Sequence, residues 1–214
     1  MSVTGLDLRK ALAQRGALLE GHFRLSSGRH SDRFVQKFRI LEDPVLLESV
    51  ARAIAERFRS LEPTVVVGSA VGGILLAYEV ARQLGTKSIF VEKENGVPSL
   101  RRGFTLSPDD RALLVEDVLT TGLSMRETIG VVRKAGAQIV GLGVIVARGD
   151  VSQSLSNGEG LVQVLLDLPL RSYDESECPQ CRSCCTCSRR RGRPACSPSS
   201  MPGCARAGTF WWPA

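Results

Sequence analysis

Two carboxylates stand side by side in the stretch Leu113-Leu114-Val115-Glu116-Asp117-Val118-Leu119-Thr120-Thr121-Gly122-Leu123-Ser124. They close an apolar run and directly precede a turn of hydroxyls and glycine. If that turn opens a helix, its backbone N–H groups together with Thr120, Thr121 and Ser124 make an anion site. Orphan donors and the helix dipole both favour a phosphate there. Glu116 and Asp117 cannot serve the same phosphate, since like charges repel. Carboxylates suit the hydrogen bonds of a neighbouring diol, or the water shell of a metal ion. Phosphate and diol side by side describe a ribose 5-phosphate. The competing reading is an acidic pair that only caps the next helix.

Three further stretches carry groups of matching chemistry. In Gly68-Ser69-Ala70-Val71-Gly72-Gly73 the glycines let backbone approach a pyrophosphate closely, although a generic strand-to-helix turn has the same look. Lys93, Arg101 and Arg102 flank Asn95-Gly96 and Pro98-Ser99, as a phosphate-neutralising loop or a solvated hairpin. Arg148 ends the apolar run Val144–Ala147. Its planar guanidinium matches a carboxylate bidentately, against the alternative of a plain strand-end charge.

The elements that must position these groups alternate along the chain. Leu6, Leu8, Ala11, Leu12 and Leu18-Leu19 recur at roughly helical spacing, with Gly16 as a stop. Asp43-Pro44 reads as an N-cap and first helical residue ahead of the face Val45, Leu46, Val50, Ile54, Ala55 and Phe58. Strands are predicted at 64–67, 88–92, 111–116, 139–147 and 162–167, and helices at 73–84 and 124–135. Strands separated by helices imply βαβ crossovers: an α/β fold with a mostly parallel central sheet flanked by helices. Ligands of such sheets gather beyond the carboxyl ends of the strands, where all four stretches fall.

Val115 to Gly122 resembles the PRPP-binding motif of the type I phosphoribosyltransferases, (Asp/Glu)-Asp-(Val/Ile)-x-(Thr/Ser)-(Thr/Ala/Gly)-Gly after an apolar strand. Leu123 stands where many members have a second glycine. Phe23-Arg24-Leu25-Ser26-Ser27-Gly28-Arg29-His30-Ser31-Asp32-Arg33-Phe34 resembles the N-terminal segment of the orotate phosphoribosyltransferases, F-x-L-x-S-G-(R/K)-x-S-x-x-F. The resemblance spans residues 5–180. It implies the type I phosphoribosyltransferase fold, with an N-terminal hood segment within residues 1–60, a PRPP-binding core at 61–177 and a mobile basic loop. The implied reaction is orotate plus PRPP to orotidine 5′-monophosphate and pyrophosphate, with Mg²⁺ held by PRPP and reached through water from Glu116 and Asp117. By the same resemblance PRPP is bound by Ser69, Ala70, Val71, Gly72, Lys93, Glu116, Asp117, Val118, Leu119, Thr120, Thr121, Gly122, Leu123 and Ser124. Orotate falls to Arg29, Phe34, Thr121 and Arg148, and catalysis to Lys93, Asp117, Arg101 and Arg102. Family lysines are replaced here by Ser26 and Gly72. A homodimer is also implied. A purine phosphoribosyltransferase, or a PRPP-sensing regulator on the same fold, is the alternative.

Charge and cysteine content separate the last 37 residues from the rest. Of 214 residues 28 are Lys or Arg and 22 are Asp or Glu. Six arginines and no acid lie in 178–214, so residues 1–177 carry no net charge. All seven cysteines and both tryptophans lie in that same stretch. The excess of base therefore gives no reason to expect a nucleic-acid partner for the body. No apolar run reaches the ~20 residues of a membrane helix, and the first residues lack a secretory pattern, so a cytoplasmic protein is expected. Cys178-Pro179-Gln180-Cys181 and Cys184-Cys185-Thr186-Cys187 have spacings compatible with zinc, but Cys196 and Cys204 stand singly. A disordered extension or a frame-shifted reading is the expectation for 178–214.

Overall fold

The computed structural model describes residues 8–25, 28–148, 160–168 and 171–183. Ser26, Ser27, Gly149 and residues 184–214, which hold five of the cysteines, lie outside the described residues. The described residues divide into two compact units, one within 8–17 and 36–168, the other within 18–35 and 171–183.

The larger unit is built on six strands: β3 (Val65–Ser69), β4 (Lys87–Glu94), β5 (Val97–Leu100), β6 (Arg111–Leu119), β7 (Gln138–Arg148) and β8 (Leu161–Leu168). Their spatial order is β5-β4-β3-β6-β7-β8, and every pair is parallel except β4 with β5. Strand β3 is buried along its whole length and β6 nearly so, which is why both read as continuous apolar runs rather than alternating ones. Its helices are α1 (Leu8–Gln14), α2 (Phe38–Leu41), α3 (Pro44–Phe58), α4 (Gly72–Leu84) and α5 (Leu123–Lys134). Helix α3 starts as its sequence dictates. The Asp43 carboxylate accepts from the N–H groups of Val45 at 3.1 Å and Leu46 at 3.0 Å, with Pro44 next in line.

One sheet face carries Val65, Val67, Leu114, Leu142 and Val144 against Met125, Ile129 and Val132 of α5. On β7, Gly141 and Gly143 leave the space that Phe58 and Ile54 of α3 fill. Burial of these side chains, each worth roughly 1.5–3 kcal/mol, fixes which helix covers which face. No helix among the described residues is long and apolar enough to cross a membrane.

The smaller unit holds β1 (Leu18–Arg24) antiparallel to β2 (His30–Val35), together with residues 171–183 and the short helix α6 (Pro179–Ser183). Leu18 and Leu19, expected to extend the first helix, instead begin β1. Helix α1 ends at Gln14, and Gly16 follows with a φ of 63°, the left-handed conformation that stops a helix. Tyr173 bridges His30 through two backbone hydrogen bonds of 2.8 Å. Residues 178–183, expected to belong to a disordered or misread tail, are an ordered part of this unit. Arg182 N–H bonds back to Cys178 O at 3.0 Å to close a helical turn.

Candidate active site

From β3 the chain moves outward to β4, then returns to place β6 on the other side of β3. At such a reversal the connections leave in opposite directions and a crevice opens at the carboxyl ends of the two strands. Both turns expected to handle phosphate lie there, Ser69–Gly72 after β3 and Thr120–Ser124 after β6.

Glu116 and Asp117 are successive residues of β6, so they face opposite ways. Ser69 Oγ donates to Glu116 Oε1 at 2.7 Å. Burial pushes the Glu116 carboxyl up to about 7; the Ser69 hydrogen bond opposes this and the charge of Asp117 adds to it. Asp117 is 1% exposed. Its Oδ1 accepts from Val118 N–H at 2.7 Å, and the Lys37 ammonium lies 3.1 Å from Oδ2 and 3.4 Å from Oδ1. Oδ2 is buried and has no hydrogen-bond partner among the described residues, the ammonium being near but out of line.

Gly72 faces this carboxylate. A Cβ there would run into Asp117 Oδ2 and come 3.1 Å from Lys37 Nζ. The lysine that the family resemblance offers at this position has no room while Asp117 is so placed. An ammonium reaches the same carboxylate from Lys37, in the turn ahead of α2. Gly68 is also required by space: a Cβ there would strike the Gly73 carbonyl and lie 3.0 Å from Ala77 Cβ, so α4 can begin close against β3. The Ala70–Val71 peptide is cis, and Ala70 N–H donates to Val91 O at 2.8 Å.

After β6 the side chains of Thr120 and Thr121 are exposed, and Gly122, with a φ of 74°, caps the 12-residue α5. Leu123 N–H donates to Thr121 Oγ1 at 3.3 Å, and Arg126 holds the Thr121 carbonyl at 2.8 Å. The Leu123 side chain points to solvent, 57% exposed, and Ser124 is exposed beside it. Of the remaining motif residues, Val118 is half-buried and Leu119 fully packed.

The expected basic loop is a hairpin. Asn95 and Gly96 have φ of 52° and 81°, both left-handed, as the tightest hairpin turn demands, and β4 and β5 close on either side. Its cations already have partners. Lys93 Nζ lies 2.8 Å from Glu127 of α5, and Arg101 2.9 Å from Glu94. Arg102 makes two contacts with Glu92, at 2.8 and 3.2 Å. Arg148 ends β7 half-buried, one residue past Ala147, which faces Leu119, so it stands level with the start of the Thr120 turn. Burial pulls its guanidinium below the ordinary arginine value.

Arg29 and Phe34 lie in the smaller unit. All three Arg29 nitrogens are engaged there: Nε donates to Ser172 Oγ at 3.0 Å, Nη2 to Ser172 O at 2.7 Å, and Nη1 pairs with Asp174 at 2.8 Å. Within this unit Arg29 fastens the C-terminal segment. Phe34 stacks on Phe23 with ring centroids 5.6 Å apart.

Lys37 and Glu127 have no place among the residues expected from sequence, yet both are ion-paired to ones that do. Neither sits in a motif, and only the fold brings residue 37 to residue 117.

The phosphoribosyl transferase domain family matches residues 39–155 of this chain. Orotate phosphoribosyltransferase of Desulforamulus reducens is 43% identical over 86% of this chain and 91% of its own length. That of Pelotomaculum thermopropionicum is 44% identical over 86% of this chain and 92% of its own. Among solved structures, orotate phosphoribosyltransferase from Aeropyrum pernix superposes with a TM-score of 0.61 at 31% identity, covering 75% of this chain and 93% of that one. With the domain match over more than half of its length and relatives alike along nearly all of theirs, the chain belongs to the phosphoribosyltransferase family, with the orotate phosphoribosyltransferases.

Proposed function

We propose that this chain transfers the 5-phosphoribosyl group of PRPP to orotate, giving orotidine 5′-monophosphate and pyrophosphate in pyrimidine nucleotide synthesis. The observation that carries the reading is the buried Glu116–Asp117 pair at the end of β6, running into the hydroxyl turn that opens α5. In this reading the turn binds the 5-phosphate through its amides, Thr120, Thr121 and Ser124. Glu116 and Asp117 accept the ribose hydroxyls. The loop Ser69–Gly72 supports the pyrophosphate, and Arg148 pairs with the orotate carboxylate. Orotate N1 then bonds to C1 of the ribose as the C1–pyrophosphate bond breaks on the opposite face.

The chain's own work is positioning and charge. Holding both reactants in line supplies ~7–11 kcal/mol in well-oriented cases. Lys93, Arg101 and Arg102 offset charge on the departing pyrophosphate. For Mg²⁺, the donor set fits an ion carried in on the substrate: Asp117 Oδ2 is buried with no hydrogen bond among the described residues, opposite a glycine that cannot bear a side chain, and both carboxylates suit water-mediated contact. When bound, Mg²⁺ supplies positive charge to the pyrophosphate oxygens.

A homodimer is part of the same reading. Val71, Leu75 and Tyr78, spaced four and three apart along the start of α4, are 66%, 50% and 63% exposed, an apolar stripe suited to a second copy. The cytoplasm is the compartment this reading assigns. The decisive experiment is a steady-state assay with PRPP, Mg²⁺ and orotate, hypoxanthine, adenine or uracil in turn. Turnover of orotate alone is expected. Preference for another base, or absence of any heat on mixing with PRPP and Mg²⁺, overturns the reading.

A further inference from the structure

The chain has two histidines, and both lie in the β1–β2 hairpin. A bulge sets Gly21 and His22 against Asp32 alone, since the register moves by one between Glu20 and Phe23. Beyond it Arg24 faces His30, which leaves His22 as the diagonal neighbour of His30 on the same side of the hairpin. Above them sits Cys178-Pro179-Gln180-Cys181, wound into the first turn of α6. The i,i+3 spacing brings both sulfurs to one side of that turn. Gln180 Nε2 donates to Gly21 O at 3.2 Å, and the Tyr173–His30 bridge fixes the chain leading in.

His22 Nε2, His30 Nδ1 and the sulfurs of Cys178 and Cys181 all lie within 4.8 Å of one another. Three of these contacts converge on His22 Nε2: His30 Nδ1 at 3.0 Å and both sulfurs at 3.5 Å. A ring nitrogen is one donor or one acceptor, so hydrogen bonding cannot satisfy three such contacts at once. A cation at their centre satisfies all four groups together. Tetrahedral zinc, with Zn–N of 2.0–2.1 Å and Zn–S near 2.3 Å, sets ligand atoms about 3.3 Å apart for two nitrogens and about 3.5 Å for nitrogen and sulfur. His30 Nδ1 to Cys181 Sγ, at 3.2 Å, also lies near that spacing. Both cysteines are thiols rather than half-cystines, and Cys178 and His30 are buried.

We propose that His22, His30, Cys178 and Cys181 form a tetrahedral Zn²⁺ site that clasps the C-terminal segment of this unit to its hairpin. Two thiolates and two imidazoles select zinc over the oxygen-seeking Mg²⁺ and Ca²⁺. Binding displaces the two thiol protons, leaving a site of no net charge. Four protein ligands leave no open position, so the role is structural. The site is independent of the transferase reaction and uses none of its residues.

The test uses the full chain, purified under a reductant and without chelator, and reads zinc content and the zinc X-ray absorption edge. About one zinc per chain is expected, with two sulfur and two nitrogen neighbours at the distances above. Because His22 and His30 are the chain's histidines, nitrogen in the shell separates this site from one built by the tail cysteines. His22→Ala and Cys178→Ser should each weaken zinc retention ~10–100-fold or more. Should a variant fail to fold, the parent protein still decides. Chelation is expected to cut amide protection in 18–35 and 173–182 at least ~10-fold, with recovery on adding zinc back. A chain that takes up no zinc when loaded and dialysed overturns the proposal. So does an all-sulfur shell, or protection in those segments that ignores removal of the metal.

Discussion

The carboxyl end of β6 and the β4–β5 hairpin both present charge to the same crevice region, yet they are built on opposite principles. At β6 the charges are buried and each carboxylate is held by a fixed neighbour: Ser69 for Glu116, Val118 N–H and Lys37 for Asp117. On the hairpin the cations are exposed and neutralised by neighbouring acids, Glu92 for Arg102, Glu94 for Arg101 and Glu127 of α5 for Lys93. Buried groups are fixed before substrate arrives, so altering one costs much of the binding geometry. Surface pairs are held loosely in solvent and can trade a carboxylate for a phosphate at little cost. In the proposed reaction both kinds have a use, the buried pair as a rigid seat for the sugar and the hairpin as a yielding partner for the leaving group.

The contrast breaks first at Asp117. Asp117→Asn keeps shape and the Val118 hydrogen bond but removes the charge facing Lys37 and, in the proposed reaction, the ribose. A fall of ~10³-fold in kcat/KM is expected, with a thermal midpoint close to the parent's. An active variant would show that the buried pair is no more essential than a surface one.

Next in size is Gly72→Ala, which keeps the backbone of the Ser69–Gly72 loop and adds one methyl facing Asp117. Its methyl displaces the Asp117 carboxylate, so a loss of ~10²-fold in kcat/KM and roughly 1–3 kcal/mol of stability from overpacking are expected. Unchanged kinetics would mean that the position of Asp117 is not what the glycine protects.

Glu116 gives a pH signature. Its carboxyl, raised by burial to about 7, takes up a proton in the folded chain at pH values where the unfolded chain has released it. Stability from this group is therefore fully present below the unfolded value near 4.5 and is lost as pH rises through about 7. Glu116→Gln should remove that part of the decline in a pH series of denaturant melts, while retaining the acceptor for Ser69. Activity carries the opposite slope: kcat/KM for PRPP should climb as Glu116 ionises through about 7, and flatten in the variant. Parallel parent and variant profiles would place the titrating group elsewhere.

Legibility followed locality. The acidic pair, the turn behind it and the cap at Asp43-Pro44 are contiguous in sequence, and the structure has them where their residue types required. Helix α5 begins and ends within a residue of its expected 124–135, because Gly122 and Gly136 mark it from outside. What could not be read was set by pairing across distance. Leu18 and Leu19 fit a helical period as well as a strand, and only pairing with Phe34 and Val35 makes them β1. Lys37 meets Asp117 across 80 residues. Cys178 and Cys181 read with the tail, because no well-spaced second cysteine pair follows them in sequence, whereas their neighbours are histidines some 150 residues upstream.

The smallest effect belongs to the hairpin, and it is the one that separates a yielding partner from an essential one. Arg101→Ser with Arg102→Ser removes two exposed guanidiniums that already have carboxylate partners, so kcat/KM for PRPP should fall no more than about tenfold, and less as salt screens them. Glu92→Gln with Glu94→Gln does the reverse. It frees both guanidiniums, and KM for PRPP should drop a few-fold at low ionic strength, with the gain vanishing near 1 M salt, where screening acts over about 3 Å. Stability should barely move in either pair, since exposed ion pairs contribute little to folding. If the arginine pair instead costs a hundredfold at every salt concentration, those side chains act in the transition state itself. The hairpin would then have to leave its acids and be held as firmly as β6 during the reaction.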